Sequence, residues 1–130
     1  MHGLKVIHED NHLIAINKPV GALVHGDETG DETLADAVKQ YIKLRYNKPG
    51  DVFLGVIHRL DRPVSGVVIF ARTSKALVRM NKMLQEKTIS KKYLAIVSIR
   101  PEELEGTLTH HLTKDESKNI LLKKGFNKLR

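Results

Sequence analysis

Leu4–His8 (LKVIH) and His12–Asn17 (HLIAIN) are short apolar stretches separated by the polar Glu9-Asp10-Asn11. That pattern predicts two strands joined by a tight turn. Lys18-Pro19-Val20-Gly21 breaks it, and Ala22–His25 reads as a short extended piece. Gly26–Thr33 (GDETGDET) is a polar loop. Its tandem tetrapeptide is too short to build a repeat fold, and it lacks the Gly-Lys-Ser/Thr ending of a phosphate-binding loop. After Thr33 the period changes. Leu34, Val38, Tyr41, Ile42 and Arg45 follow helical spacing, Thr33 and Asp36 stand at capping-box spacing, and Asn47, Pro49 and Gly50 close the segment. A helix over 34–46 is predicted.

Phe53–Leu60 is apolar and reads as extended up to Asp61, and Val67–Ala71 (VVIFA) reads as a buried strand. A second helix starts after a Thr73 or Ser74 cap and runs to about Lys87. Ala76, Leu77, Met80, Met83 and Leu84 share its apolar face; Lys75, Arg79, Lys82 and Glu86 form the opposite stripe. Lys92–Ile99 (KYLAIVSI) and Gly106–Leu112 (GTLTHHL) read as strands. The tail after Thr113 is polar and basic, with Ile120-Leu121-Leu122 as its one strand candidate. The order ββ-α-β-α-β-β predicts an α+β fold with a mainly antiparallel sheet and flanking helices. The 130 residues amount to one domain by size.

Composition narrows the chemistry. With no cysteine, disulfides, thiolate zinc sites and thiol nucleophiles are excluded, which fits a cytoplasmic protein. The N-terminus lacks the layout of a signal peptide, and no apolar run approaches the roughly 20 residues that span a bilayer. The seven histidines show neither HExxH nor zinc-finger spacing, and adjacent His110 and His111 would face opposite ways on a strand; no metal is expected. The net charge of +7 is concentrated. Between Arg72 and Arg100, eight cations stand against Glu86 alone, an excess equal to the charge of the whole chain. This is the footprint of a polyanion partner, or simply of a solvated basic face.

Two residues invite a catalytic reading. Ser65 lies in Val-Ser-Gly, but Pro63 stands where a nucleophile elbow needs glycine. Asp61 sits at the end of the apolar run, between Arg59 and Arg62. On a strand Arg59 would share its face, and a guanidinium keeps a carboxylate ionised and nucleophilic. The same Asp-Arg-Pro-Val-Ser-Gly has the composition of a surface turn. Spacing leaves both roles open.

Residues 55–73, Gly-Val-Ile-His-Arg-Leu-Asp-Arg-Pro-Val-Ser-Gly-Val-Val-Ile-Phe-Ala-Arg-Thr, resemble the central motif of the RluA-type pseudouridine synthases. Residues 14–25, with Lys18-Pro19 and Gly21, resemble that family's first motif. Lys91-Lys92-Tyr93-Leu94-Ala95 resembles the block carrying its active-site tyrosine. The three blocks stand in the family's order within residues 4–112. The resemblance implies a pseudouridine-synthase-like fold and isomerisation of uridine in ribosomal or transfer RNA, without cofactor or metal. It implies Asp61 as the catalytic aspartate, Tyr93 against the target base, and Arg59 in contact with RNA near the extruded nucleotide. Arg62, Arg79, Lys82, Lys91 and Lys92 are the further expected RNA contacts.

One departure shapes the expectation. The family's later Thr-Gly-Arg-x-x-Gln-Ile-Arg motif, whose arginine pairs with the catalytic aspartate, has no match between Thr113 and Arg130. An S4-type RNA-binding domain is absent too. Residues 1–130 therefore read as the N-terminal part of a catalytic domain with an incomplete sheet, inactive alone or dependent on a partner. Its open edge would favour self-association. The competing expectation is an RNA-binding remnant without catalysis.

Overall fold

A computed structural model describes residues 3–26, 29–118 and 120–123. The chain divides into two compact units, Met1–Lys91 and Lys92–Arg130. The first holds β1 (Val6–Glu9), β2 (Leu13–Lys18), α1 (Leu34–Arg45), β3 (Gly55–Val56), β4 (Gly66–Ala71) and α2 (Ser74–Gln85). Its strands form one antiparallel sheet in the order β1-β2-β4-β3.

The period of two along β2 and β4 sorts their side chains onto two faces. On one face Ile14 pairs with Phe70, Ile16 with Val68 and Lys18 with Gly66. The apolar members of this set are fully buried and cluster with Leu34, Ala35, Val38 and Ile42 of α1. On the other face Leu13 pairs with Ala71 and Ala15 with Ile69. Here Ala71, Ile57 and Ala76 form a smaller core, flanked by Leu13, Ile69, Leu77, Met80 and Leu84. The helices thus cover opposite faces of the sheet. Each large side chain sealed inside, such as Phe70 or Ile14, contributes about 1.5–3 kcal/mol.

The helix boundaries follow their caps. The Thr33 hydroxyl accepts from the amide of Asp36 while the Asp36 carboxylate accepts from the amide of Thr33, the reciprocal box expected from the spacing. The Thr73 hydroxyl accepts from the amide of Ala76 at the start of α2. Leu23 forms a single parallel bridge with Thr33, and the amides of Leu34 and Ala35 donate to the carbonyls of Leu23 and Val24. The extended piece at 22–25 is thus fastened to the entry of α1. The other end of α1 is held by Glu9, whose carboxylate accepts from the Tyr41 and Tyr46 hydroxyls and pairs with Arg45. Desolvation opposes ionisation there, but the two hydroxyls and Arg45 outweigh it, and the Glu9 carboxyl lies below its usual range.

Three expectations need correction. The apolar run 53–60 is paired with β4 only at Gly55 and Val56. Beyond that the chain leaves the ladder, because Ile57 packs into the core under α2 while Leu60 packs against the core under α1. The face-sharing of Arg59 and Asp61 inferred for a strand therefore does not apply. Met83, placed on the apolar face of α2, is exposed; Met80 and Leu84 fill that face instead.

The third correction lies in the second unit. Its strands are β5 (Leu112–Asp115) and β6 (Ile120–Lys123), an antiparallel pair with Leu112 opposite Lys123. The tail candidate at 120–122 is therefore in a strand, whereas 92–99 is not, nor are 106–111. β-Branched residues favour a strand only where a neighbour supplies ladder partners and cover. Tyr93, Leu94, Ile96, Val97 and Ile99 are all exposed.

Candidate active site

The site is assembled around the loop between β3 and β4. Lys18, the last residue of β2, falls on the same strand face as Ile14 and Ile16 and is fully buried like them. Its Nζ donates to the carbonyls of Val64 (2.6 Å), Arg62 (3.1 Å) and Pro19 (3.1 Å). Water is costly to remove from an ammonium, and these carbonyls replace it. Desolvation pushes the Lys18 ammonium below the usual lysine range, and the Arg62 charge pushes the same way. The negative charge of Asp61 opposes both.

Arg62 closes the loop from the other side. Its carbonyl accepts from the Gly21 amide (2.8 Å) as well as from Lys18. Its Nε donates to the Gly21 carbonyl (2.9 Å) and its Nη2 to Asp31 (2.8 Å). Gly21 and Arg62 are thus bonded in both directions, and the 19–21 and 61–64 segments are laced together. Within the turn the Val64 amide donates to the Asp61 carbonyl (2.9 Å). Gly66 then returns the chain to β4 at φ +145°, a conformation L side chains rarely adopt. Asp61 stands exposed on this braced turn, with its neighbour Leu60 packed below.

His58 continues the sheet by other means. Its Nε2 accepts from the Ile69 amide (3.0 Å), one rung beyond the last β3–β4 pair. An accepting Nε2 leaves the ring proton on Nδ1. Desolvation, and then the charge of Lys91, hold this imidazole below its usual pKa. The neutral ring is what the hydrogen bond requires.

The expected site residues are distributed as follows. Arg59, Asp61 and Arg62 share one short segment and are exposed. Arg62, expected to contact RNA, turns Nε and Nη2 toward Gly21 and Asp31. Arg79 and Lys82 project from the exposed side of α2, with Lys82 3.9 Å from Glu86. Arg72, part of the basic segment, is drawn to the sheet end. It donates to the Asp10 carbonyl and stacks 4.5 Å from the Tyr46 ring centroid. Lys91 is exposed at the end of the first unit; Lys92 and Tyr93 are exposed in the second. Lys18 was not expected as a site residue. Its position two after Ile16 in an alternating strand was the available signal, since a lysine at an inward register must find partners.

With this geometry in place, comparison with known proteins is specific. The family model described as RNA pseudouridylate synthase matches residues 12–128. The ribosomal large subunit pseudouridine synthase C of Buchnera aphidicola from Schizaphis graminum is 35% identical over 125 residues, covering 92% of this chain and 38% of the relative. The protein of the same name from Escherichia coli K12 is 37% identical over 92 residues, covering 71% of this chain and 27% of the relative. This chain thus spans well under half the length of either relative. Among solved structures, human RNA pseudouridylate synthase domain containing 1 superposes with a TM-score of 0.69 at 19% identity, over 96% of this chain and 46% of that one. That likeness supports the α+β fold.

Proposed function

The chain belongs to the RNA pseudouridylate synthase family, and on that premise we propose that it serves the isomerisation of uridine to pseudouridine in RNA, ribosomal or transfer, with Asp61 as the catalytic aspartate. The observation that carries this reading is the placement of Asp61. An exposed carboxylate stands on a turn held by Lys18, Gly21 and Arg62. A turn that merely reverses the chain needs no buried ammonium beneath it.

The reaction breaks the bond between uracil N1 and ribose C1′ and forms one between C5 and C1′. N1 gains a proton and C5 loses one, so atoms and electrons balance without a redox partner. Asp61 is the chain's nucleophile or base for this exchange. The uridine must first leave its stack, at a cost of a few kcal/mol. Arg59, exposed beside the turn, suits the vacated space, and Tyr93 suits the face of the extruded base. Arg79, Lys82, Lys91 and Lys92 suit phosphates. Arg62, turned toward Gly21 and Asp31, fits a brace better than an RNA contact. Relatives named for the ribosomal large subunit favour ribosomal over transfer RNA as the substrate, and a cytoplasmic location agrees with it.

A second reading, RNA binding without catalysis, draws on the basic segment 72–100, where eight cations stand against Glu86 alone. Incubating the chain with ribosomal and transfer RNA and mapping pseudouridine separates the two. Product that disappears in Asp61→Asn supports the first reading. RNA binding without product supports the second, and product that survives Asp61→Asn removes Asp61 from its role.

A further inference from the structure

We infer that Lys18 is a positioning residue for Asp61, acting through the backbone of residues 62–64 rather than by touching substrate. The inference rests on the catalytic reading of Asp61, but its structural part can be measured without activity. Lys18 is fully buried, and among the described residues no buried side-chain nitrogen or oxygen lacks a hydrogen-bond partner. Its ammonium meets two carbonyls of the turn, Arg62 and Val64, so it fixes the peptide planes on the C-terminal side of Asp61. The third carbonyl, Pro19, belongs to the segment that Arg62 also grips through Gly21. A neutral apolar side chain of the same length could fill the space but could not hold these oxygens. Arginine would keep the charge, but its planar fork cannot point at three converging acceptors as an ammonium does. A lysine used only for core volume would show neither dependence.

Of the neighbouring charges, Asp61 favours the ammonium and Arg62 opposes it, and desolvation with Arg62 outweighs Asp61. The three carbonyls, not a counter-charge, therefore hold Lys18 in place.

The test is 15N relaxation of the full chain with Lys18→Met and Lys18→Arg. In Lys18→Met the amide order parameters of Asp61, Arg62, Val64 and Gly21 should fall from rigid to loop-like values. Those of Ile16, Val68 and Phe70 should stay unchanged. Lys18→Arg should restore part of the order. Where pseudouridine formation is measurable, Lys18→Met should lower kcat at least tenfold with KM within threefold. Unchanged order at the turn, or an equal loss of order through the β2–β4 pair, would overturn the inference. If Lys18→Met fails to fold, Lys18→Arg decides: turn amides as rigid as in the parent would overturn the inference, and selective loosening would support it. An active Asp61→Asn chain would instead refute the catalytic reading and leave the relaxation result standing.

Discussion

The ammonium of Lys18 lies 2.6 Å from the carbonyl oxygen of Val64, although 46 residues separate them along the chain. This contact joins the end of β2 to the loop that carries Asp61. It also ties the chain's first family-like block to its central one.

Truncating Lys18 to alanine should leave the Val64 carbonyl without its partner, while the Arg62 carbonyl keeps the Gly21 amide. A buried acceptor left without a partner costs about 1–3 kcal/mol. Urea unfolding of Lys18→Ala should show a loss in or above that range, and a change under 0.5 kcal/mol would contradict the geometry.

Acid should weaken the fold through His58. Its folded pKa lies below the ordinary 6.5, so just below pH 6.5 the unfolded chain binds more protons. Stability must then rise with pH through that window and fall as the ring is charged. Lost acceptance from the Ile69 amide is the structural correlate. His58→Gln, which keeps an acceptor, should flatten the slope of unfolding free energy between pH 5 and 7. An unchanged slope would assign the dependence to other groups.

Gly66→Ala should strain the return from the turn into β4, since alanine resists φ +145°. A cost of about 1–3 kcal/mol is expected, read as a lower melting temperature. Gly106, around which a Cβ would meet nothing within 4 Å, provides the control: Gly106→Ala should stay within 0.5 kcal/mol of the parent.

RNA affinity should depend on α2. Reversing Arg79 and Lys82 together to glutamate should weaken RNA binding by about tenfold or more. It should also reduce the salt slope of log K by roughly 1.4 for two lost phosphate contacts on single-stranded RNA. Filter binding across a salt series measures both. Unaltered slopes would move the RNA face away from this helix.

The exposed apolar residues of the second unit, from Tyr93 through Ile99 to Leu104 and Leu108, should drive self-association of the isolated chain. Unpaired β-prone stretches are templates for pairing. Light scattering over a concentration series should show growth in mass. A monodisperse monomer at high concentration would reject it.

What could be read from sequence followed the range of the interactions. Both helices and their threonine caps were legible because Thr33 with Asp36, and Thr73 with Ala76, interact within one turn. β2 and β4 were legible because their alternation writes two cores directly into the chain. The end of β3 was not, since Ile57 and Leu60 pack into different cores and both look strand-like in sequence. Residues 92–99 have strand composition but no ladder, because composition does not supply a neighbour. Asp61 could be singled out as a candidate, and the resemblance gave it a role. Its supports, Lys18 and the reciprocal pair Gly21 and Arg62, depend on contacts over tens of residues and became visible only in three dimensions.

The β2–β4 register has a last consequence. Lys18 stands opposite Gly66, on the rung where the Asp61 loop returns to the sheet. A slip of one residue between the two strands would move Lys18 to the opposite face, and the carbonyls of Arg62 and Val64 would lose their cation. A misregistered chain could bury much of its apolar surface, but it could not order the segment beside Asp61. The buried lysine thus works as a checksum, making an ordered turn beside Asp61 conditional on correct strand alignment.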